Sequence, residues 1–146
     1  MLVTNHVLSG ALLGHLAPNL PASFAAGVLS HVLLDSVPHW GVARPVRELM
    51  HVAVPDGLLG LTAMAVATAT AAPEHRLRVL AGMAGAAFPD LDKPSTVFFG
   101  RSPFPRGVDA FHQRIQRESP RRMPQELAVG MAGAVAVALV NRRRGR

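Results

Sequence analysis

The segment Ser30-His31-Val32-Leu33-Leu34-Asp35-Ser36-Val37-Pro38-His39 places three metal-type ligands at intervals of four, inside one of the most apolar parts of the chain. On a helix, residues four apart lie one above the other on the same face. That spacing lets one helix offer two side chains to a single metal ion, as in the zinc helix motif with its pair of histidines. An Asp among Val and Leu is costly to bury without a partner. Any fold must therefore satisfy Asp35, and a divalent cation shared with His31 and His39 is the sharpest candidate. The plainer alternative is a buried His31–Asp35 pair, with His39 in a loop beyond a helix that Pro38 kinks or ends.

A chain of 146 residues fits one domain. It has no cysteine, which excludes disulfides, thiolate zinc sites and thiol nucleophiles. A metal is then held by His and carboxylate, donors that suit Zn, Mn, Fe or Ni. Hydrophobic residues make up 49% and charged residues only 16%, a low charge content for a water-soluble domain. The net charge of +6 is unevenly spread. Arg101, Arg106, Arg114, Arg117, Arg121 and Arg122 crowd one polar segment, and residues 141–146 form a basic tail. Such clusters suit anionic lipid, the cytoplasmic flank of membrane helices, or nucleic acid. No aromatic residues that stack bases are interleaved with them, which argues against nucleic acid.

The pattern predicts an all-α fold: a compact bundle of four to six helices, membrane-embedded or membrane-associated, with no strand. Helices are expected over Thr4–Ala17, where Gly10 and Gly14 make a small-residue face, and over Pro21–Val37. Val46–Ala53 reads as helical. Pro55 disfavours helix at Val54, so Asp56 is expected to cap a new helix running to Ala72. A further helix runs from Pro73-Glu74 to Phe88-Pro89. Residues 90–106, rich in Pro, Gly and Ser, read as a loop. Val108–Glu118 is amphipathic, and Met123–Val140 is a last apolar helix. Antiparallel neighbours are expected to bring the ends of the second and fourth helices to one cavity. A spanning helix needs about 20 apolar residues, and the run after Gly57 is short unless joined to residues before Pro55. No basic n-region precedes the first apolar stretch, so no cleavable signal peptide is expected. A soluble Ala-rich bundle in the cytoplasm is the rival to the membrane.

Further acids and histidines sit at breaks in the apolar segments: His6, Asp56, Asp90, Asp92 and His112. Each has a plainer use. His6 and His112 can be packing histidines, Asp56 an N-cap, and Asp90 and Asp92 turn residues beside proline. His15, His51 and His75 read as surface or structural.

The opening Thr4-Asn5-His6-Val7-Leu8-Ser9-Gly10, the Ser30-His31…Asp35…Pro38-His39 element and Pro89-Asp90-Leu91-Asp92 resemble the LexA-binding, inner-membrane-bound hydrolases, a bacterial family of metal-dependent hydrolase-like membrane proteins. The resemblance covers most of the chain up to Lys93. It implies a helical membrane protein performing metal-assisted hydrolysis, with a phosphoester as substrate, since the His-x-x-x-Asp helix is also similar to that of zinc-dependent phospholipase C. His6, His31, Asp35, Asp90 and Asp92 are the matching positions. The family's Pro-Asp-x-Asp element commonly continues into a histidine, where this chain has Lys93. A later His-Arg…Thr-His-Ser element is absent, and only His112 remains in that half.

The expected function is thus a metal-dependent hydrolase. His6, His31, Asp35, His39 and Asp56 are its metal ligands, and Asp90, Asp92 and His112 its catalytic groups. A divalent ion lowers the pKa of water from about 15.7 toward 7, and Asp90 or Asp92 holds a second ion or acts as general base. Arg101 and Arg106 can receive a phosphate bidentately. Two alternatives stand beside it. One is a non-catalytic membrane or assembly protein whose polar residues lock helix register and whose arginines engage lipid or an acidic partner. The other is a basic helical nucleic-acid-associated protein. Localisation at a bacterial inner membrane follows from the resemblance; the oligomeric state stays open.

Overall fold

The computed structural model describes residues 1–42 and 44–144, with Val46 by its backbone alone. Residues 145 and 146 of the basic tail lie outside the described residues. The described chain is all-helical: α1 (Val3–Leu16), α2 (Leu20–Asp35), α3 (Met50–Thr70), α4 (Arg76–Ala87), α5 (Asp92–Phe99), α6 (Arg106–Ile115) and α7 (Met123–Arg144). Short 3-10 turns precede α3, α5 and α7. Among the described residues, six of these helices run ten residues or more, within the expected four to six. Among the described residues, the one extended pairing is an isolated parallel bridge between His39 and Glu118.

Local chemistry accounts for the boundaries. Asn19 caps α2 by accepting from the Ala22 amide at 2.9 Å, and Pro21 sits in its first turn, where a missing N–H costs nothing. Helix α2 ends at Asp35, two residues earlier than expected, ahead of Pro38. The expected break at Pro55 is not there: α3 runs through it. Pro55 is the sixth residue of α3, so it removes one ladder bond near the helix start and leaves the later turns intact. The two half-runs therefore join into one long apolar helix. Residues 92–99, expected within a loop, form α5. Pro94 lies in the first turn of α5, where its missing donor is unpaired in any helix, and Gly100 ends it in the left-handed conformation with φ 74°.

The centre of the bundle is α1, with α2, α3, α4 and α7 around it. Asn5, Leu8 and His15 meet Glu126, Gly133 and Asn141 in order, so α7 runs parallel to α1. Ser23, Gly27 and His31 meet Arg78, Gly82 and Ala86 in order. Helices α2 and α4 are therefore parallel to each other, as follows when successive helices run antiparallel. The reason is α3, which returns the chain across the bundle so that α4 starts from the same end as α2. Their C-terminal ends arrive at one place.

Close approach is made by small residues. A Cβ on Gly82 would overlap the carbonyl oxygen of Gly10, one on Gly27 that of Gly82, and one on Gly85 that of Phe24. The apolar interior is thin: Val7, Leu8, Ala11, Ala67, Ala71, Val79, Met83 and Val137. Large apolar side chains point outward instead, among them Leu58 (60% exposed), Leu61 (65%) and Met131 (67%). Gly82→Ala is expected to force α1 and α4 apart and cost about 1–3 kcal/mol. Thermal unfolding checks this. Gly57→Ala, where no atom lies within 4 Å of the new Cβ, should leave Tm unchanged or slightly raised. Equal Tm values for the two variants would contradict the close-packing account.

Candidate metal centre

The end of the bundle where α1 begins and α2 and α4 finish holds a buried polar pocket. His6, His31, Asp35 and His39 are fully buried, and Asp90 and His112 nearly so. Asp35, on the last turn of α2, lies at the middle. Its Oδ2 is 3.0 Å from His31 Nε2 and 3.2 Å from His112 Nε2. The two imidazole Nε2 atoms are themselves 3.0 Å apart. Asp90 Oδ1 is 3.6 Å from His112 Nε2 and 3.9 Å from His31 Nε2. One ligand atom each from His31, Asp35, Asp90 and His112 lies within 4.8 Å of all the others.

The hydrogen-bond roles give this convergence meaning. His31 Nδ1 is 2.7 Å from the Ala86 carbonyl oxygen, which only accepts. Nδ1 therefore carries the hydrogen, and the Nε2 of a neutral His31 is a bare lone pair. That lone pair points at a second imidazole nitrogen and at carboxylate oxygen. Such a meeting of acceptors is stable only with extra protons or with a cation between them. Ligand atoms of a tetrahedral shell with bonds of 2.0–2.2 Å sit about 3.4 Å apart. Five of the six spacings here, 3.0 to 3.9 Å, bracket that value, and the sixth, Asp35 to Asp90, is within 4.8 Å.

Asp92, Gln116 and Lys93 surround the cluster. Asp92 Oδ2 is 3.6 Å from His112 Nδ1, and its Oδ1 is buried without a partner. Gln116 Nε2 lies 3.1 Å from His112 Nε2 and 3.5 Å from Asp35 Oδ2. Lys93 pairs with Asp90 and is one-third exposed, so the pocket meets solvent on this side. Burial would raise the Asp90 carboxyl, yet the Lys93 ammonium beside it holds it down at about 2. Burial would lower His112, on α6 and outside the long apolar helices, yet Asp35 and Asp92 push it up to about 9. Without an ion, His112 keeps a proton that a cation would replace.

The remaining expected residues fall into two groups. His39 belongs to the pocket, 3.9 Å from Asp35 Oδ1, and so does His6, 3.2 Å from the same oxygen. The backbone holds His39 there by strand-like pairing: its N–H donates to Arg117 and its carbonyl accepts from Ser119. The Met1 ammonium lies 2.8 Å from Asp35 Oδ1. Asp56 stands apart. Its oxygens accept from the Val3 amide, the Thr4 amide and the Thr4 hydroxyl at 2.6–3.2 Å, so it caps α1 rather than a new helix. Asp90 and His112, expected as catalytic groups, sit at ligand distance from the others. Arg101 and Arg106 are exposed.

Gln116 and Glu126 were not singled out from the sequence. Gln116 lies four residues after His112, a spacing that signals a shared helix face. Glu126, buried in the first turn of α7, accepts from the Leu2 amide, the Asn5 amide group and the Trp40 amide at 2.7–3.1 Å. It ties α1, the segment after α2 and α7 together next to the pocket. An acid opening an apolar helix was its only sequence signal.

Comparison with protein-family models, with curated proteins and with solved structures finds no match to this chain.

Proposed function

We propose that this protein binds a divalent metal ion through His31, Asp35, Asp90 and His112 and uses it in hydrolysis of a phosphoester at a membrane. The observation that carries the metal is the inward-facing Nε2 of His31, its tautomer set by Ala86, with His112 and Asp35 closing on the same point. When bound, such an ion supplies Lewis acidity toward water and toward a phosphoryl oxygen. The chain supplies the rest. Ala86 and Asp92 orient the two imidazoles, as carboxylates and carbonyls behind metal-bound histidines do elsewhere. Asp92, beside His112 Nδ1, keeps that ring aimed at the ion. Lys93, one-third exposed beside Asp90, is the part of the cluster nearest solvent. The likeness of the Thr4–Gly10, His31…His39 and Pro89–Asp92 elements to the LexA-binding, inner-membrane-bound hydrolases agrees with this assignment.

Two observations support the membrane. The helices spanning Arg47–Thr70 and Pro120–Arg144 are long and apolar enough to cross a bilayer. A core helix of a soluble protein of that composition is mostly buried, whereas only 11% of each apolar window is buried here. Glycines inside and leucines outside is the packing expected when lipid covers the surface. Anionic lipid is the partner suited to the arginines that close α7. Alkaline carbonate washing is expected to leave the protein in the membrane pellet; release to the supernatant would contradict this.

One observation favours a second function. Ligands this deeply buried also suit a purely structural ion. Metal analysis with hydrolysis assays separates the two. Protein equilibrated with Zn²⁺ or Mn²⁺ and freed of excess is expected to retain metal, and His31→Ala and His112→Ala to lose it. Metal-dependent hydrolysis of bis-p-nitrophenyl phosphate is expected, and Asp92→Asn is expected to lower metal affinity or activity by about 10–100-fold. Retained metal without hydrolysis leaves a structural ion. Wild-type protein without metal overturns both.

A further inference from the structure

His6 and His39 are the two imidazoles of the pocket that a single ion on Asp35 Oδ2 leaves without a role. Both are fully buried. Among the described residues, His6 Nδ1 and His39 Nε2 have no hydrogen-bond partner, and His6 Nε2 has only the 3.2 Å approach to Asp35 Oδ1. Packing alone does not explain them. The His6 ring stacks on His31 with centroids 3.9 Å apart, but an apolar side chain would fill that space without burying an unsatisfied nitrogen. His39 Nδ1 lies 2.9 Å from the Val37 carbonyl oxygen, an acceptor, so its hydrogen is on Nδ1 and a neutral ring presents a lone pair at Nε2. His6 Nε2 and His39 Nε2 are 3.2 and 3.9 Å from the same oxygen, Asp35 Oδ1. His31 and His112 meet the other oxygen, Oδ2. Four imidazoles thus divide two and two over one carboxylate.

We propose that the pocket is a dinuclear centre bridged by Asp35, in which His6, His39 and Asp35 Oδ1 hold a second divalent cation beside the one on Oδ2. This rests on the single-ion assignment above and extends it. The distances of His6 Nε2 and His39 Nε2 from Asp35 Oδ1, 3.2 and 3.9 Å, lie on either side of the roughly 3.4 Å between neighbouring ligand atoms of a tetrahedral shell. A carboxylate binding through both oxygens suits ions about 3.5–4 Å apart, the separation at which two metals clamp the attacking and leaving oxygens of a phosphoester. An ion on Oδ1 displaces the Met1 ammonium from that oxygen. Such a pair suits the phosphate ester proposed above as substrate.

The test uses the 146-residue chain in detergent micelles, loaded separately with Mn²⁺ and Zn²⁺ and freed of excess metal. Metal content is measured by mass spectrometry, and the Mn²⁺ form by electron paramagnetic resonance. The wild-type chain is expected to hold two ions, with an exchange-coupled Mn²⁺ signal. His39→Ala and His6→Ala, checked for helix content by circular dichroism, are expected to hold one uncoupled ion. One uncoupled ion in the wild type overturns the second site while the single-ion assignment stands. Two uncoupled ions also overturn it, because they place the second ion away from Asp35. No retained ion overturns both assignments. Two coupled ions persisting in both variants remove His6 and His39 as ligands. Wild-type stoichiometry and coupling need no variant, so a variant that fails to fold leaves the decision intact.

Discussion

The carboxylate of Asp35 is buried at the end of an apolar helix, and the surrounding structure is arranged to answer that one charge. A lone carboxylate in such a place would be neutralised or would unfold its helix end. Here it faces four imidazoles, from α1, α2, the segment after α2, and α6. Moving α2 or α6 would part His31 and His112 from Asp35 Oδ2. The charge therefore fixes how the helix ends meet, and the pocket is a consequence of satisfying it.

The convergence needs close helix contact. His31 can reach the Ala86 carbonyl only because α2 and α4 approach through Gly27, Gly82 and Gly85. The same glycines leave little large apolar volume inside, so the leucines and valines of α3 and α7 turn outward. In water that arrangement would expose an extended apolar surface. In lipid it is the expected distribution, because packing of small residues rather than burial of large ones holds such helices together. The polar pocket and the apolar exterior are thus two results of one packing mode.

Much of this was legible in the chain, and the failures have physical causes. The i,i+4 pair of His31 and Asp35 shows in the sequence because helical spacing is local. The place of His112 does not, because its partner Asp35 is 77 residues away and meets it only after α6 folds back. Asp56, expected as a metal ligand, is instead a cap, and it caps α1, 52 residues before it, rather than the helix it belongs to. Pro55 signals a break that a helix tolerates near its start. Asp92-Lys93-Pro94 looks like a turn, yet proline in a first turn is compatible with α5. The meeting of the ends of α2 and α4 was legible, because successive antiparallel helices put the second and the fourth in the same direction.

Anomalous diffraction at the zinc edge, from crystals of protein equilibrated with Zn²⁺, tests the central claim most directly. The account predicts a peak within about 2.0–2.2 Å of His31 Nε2, His112 Nε2 and Asp35 Oδ2. A map with no peak in the pocket, while those side chains keep the positions described above, would contradict it.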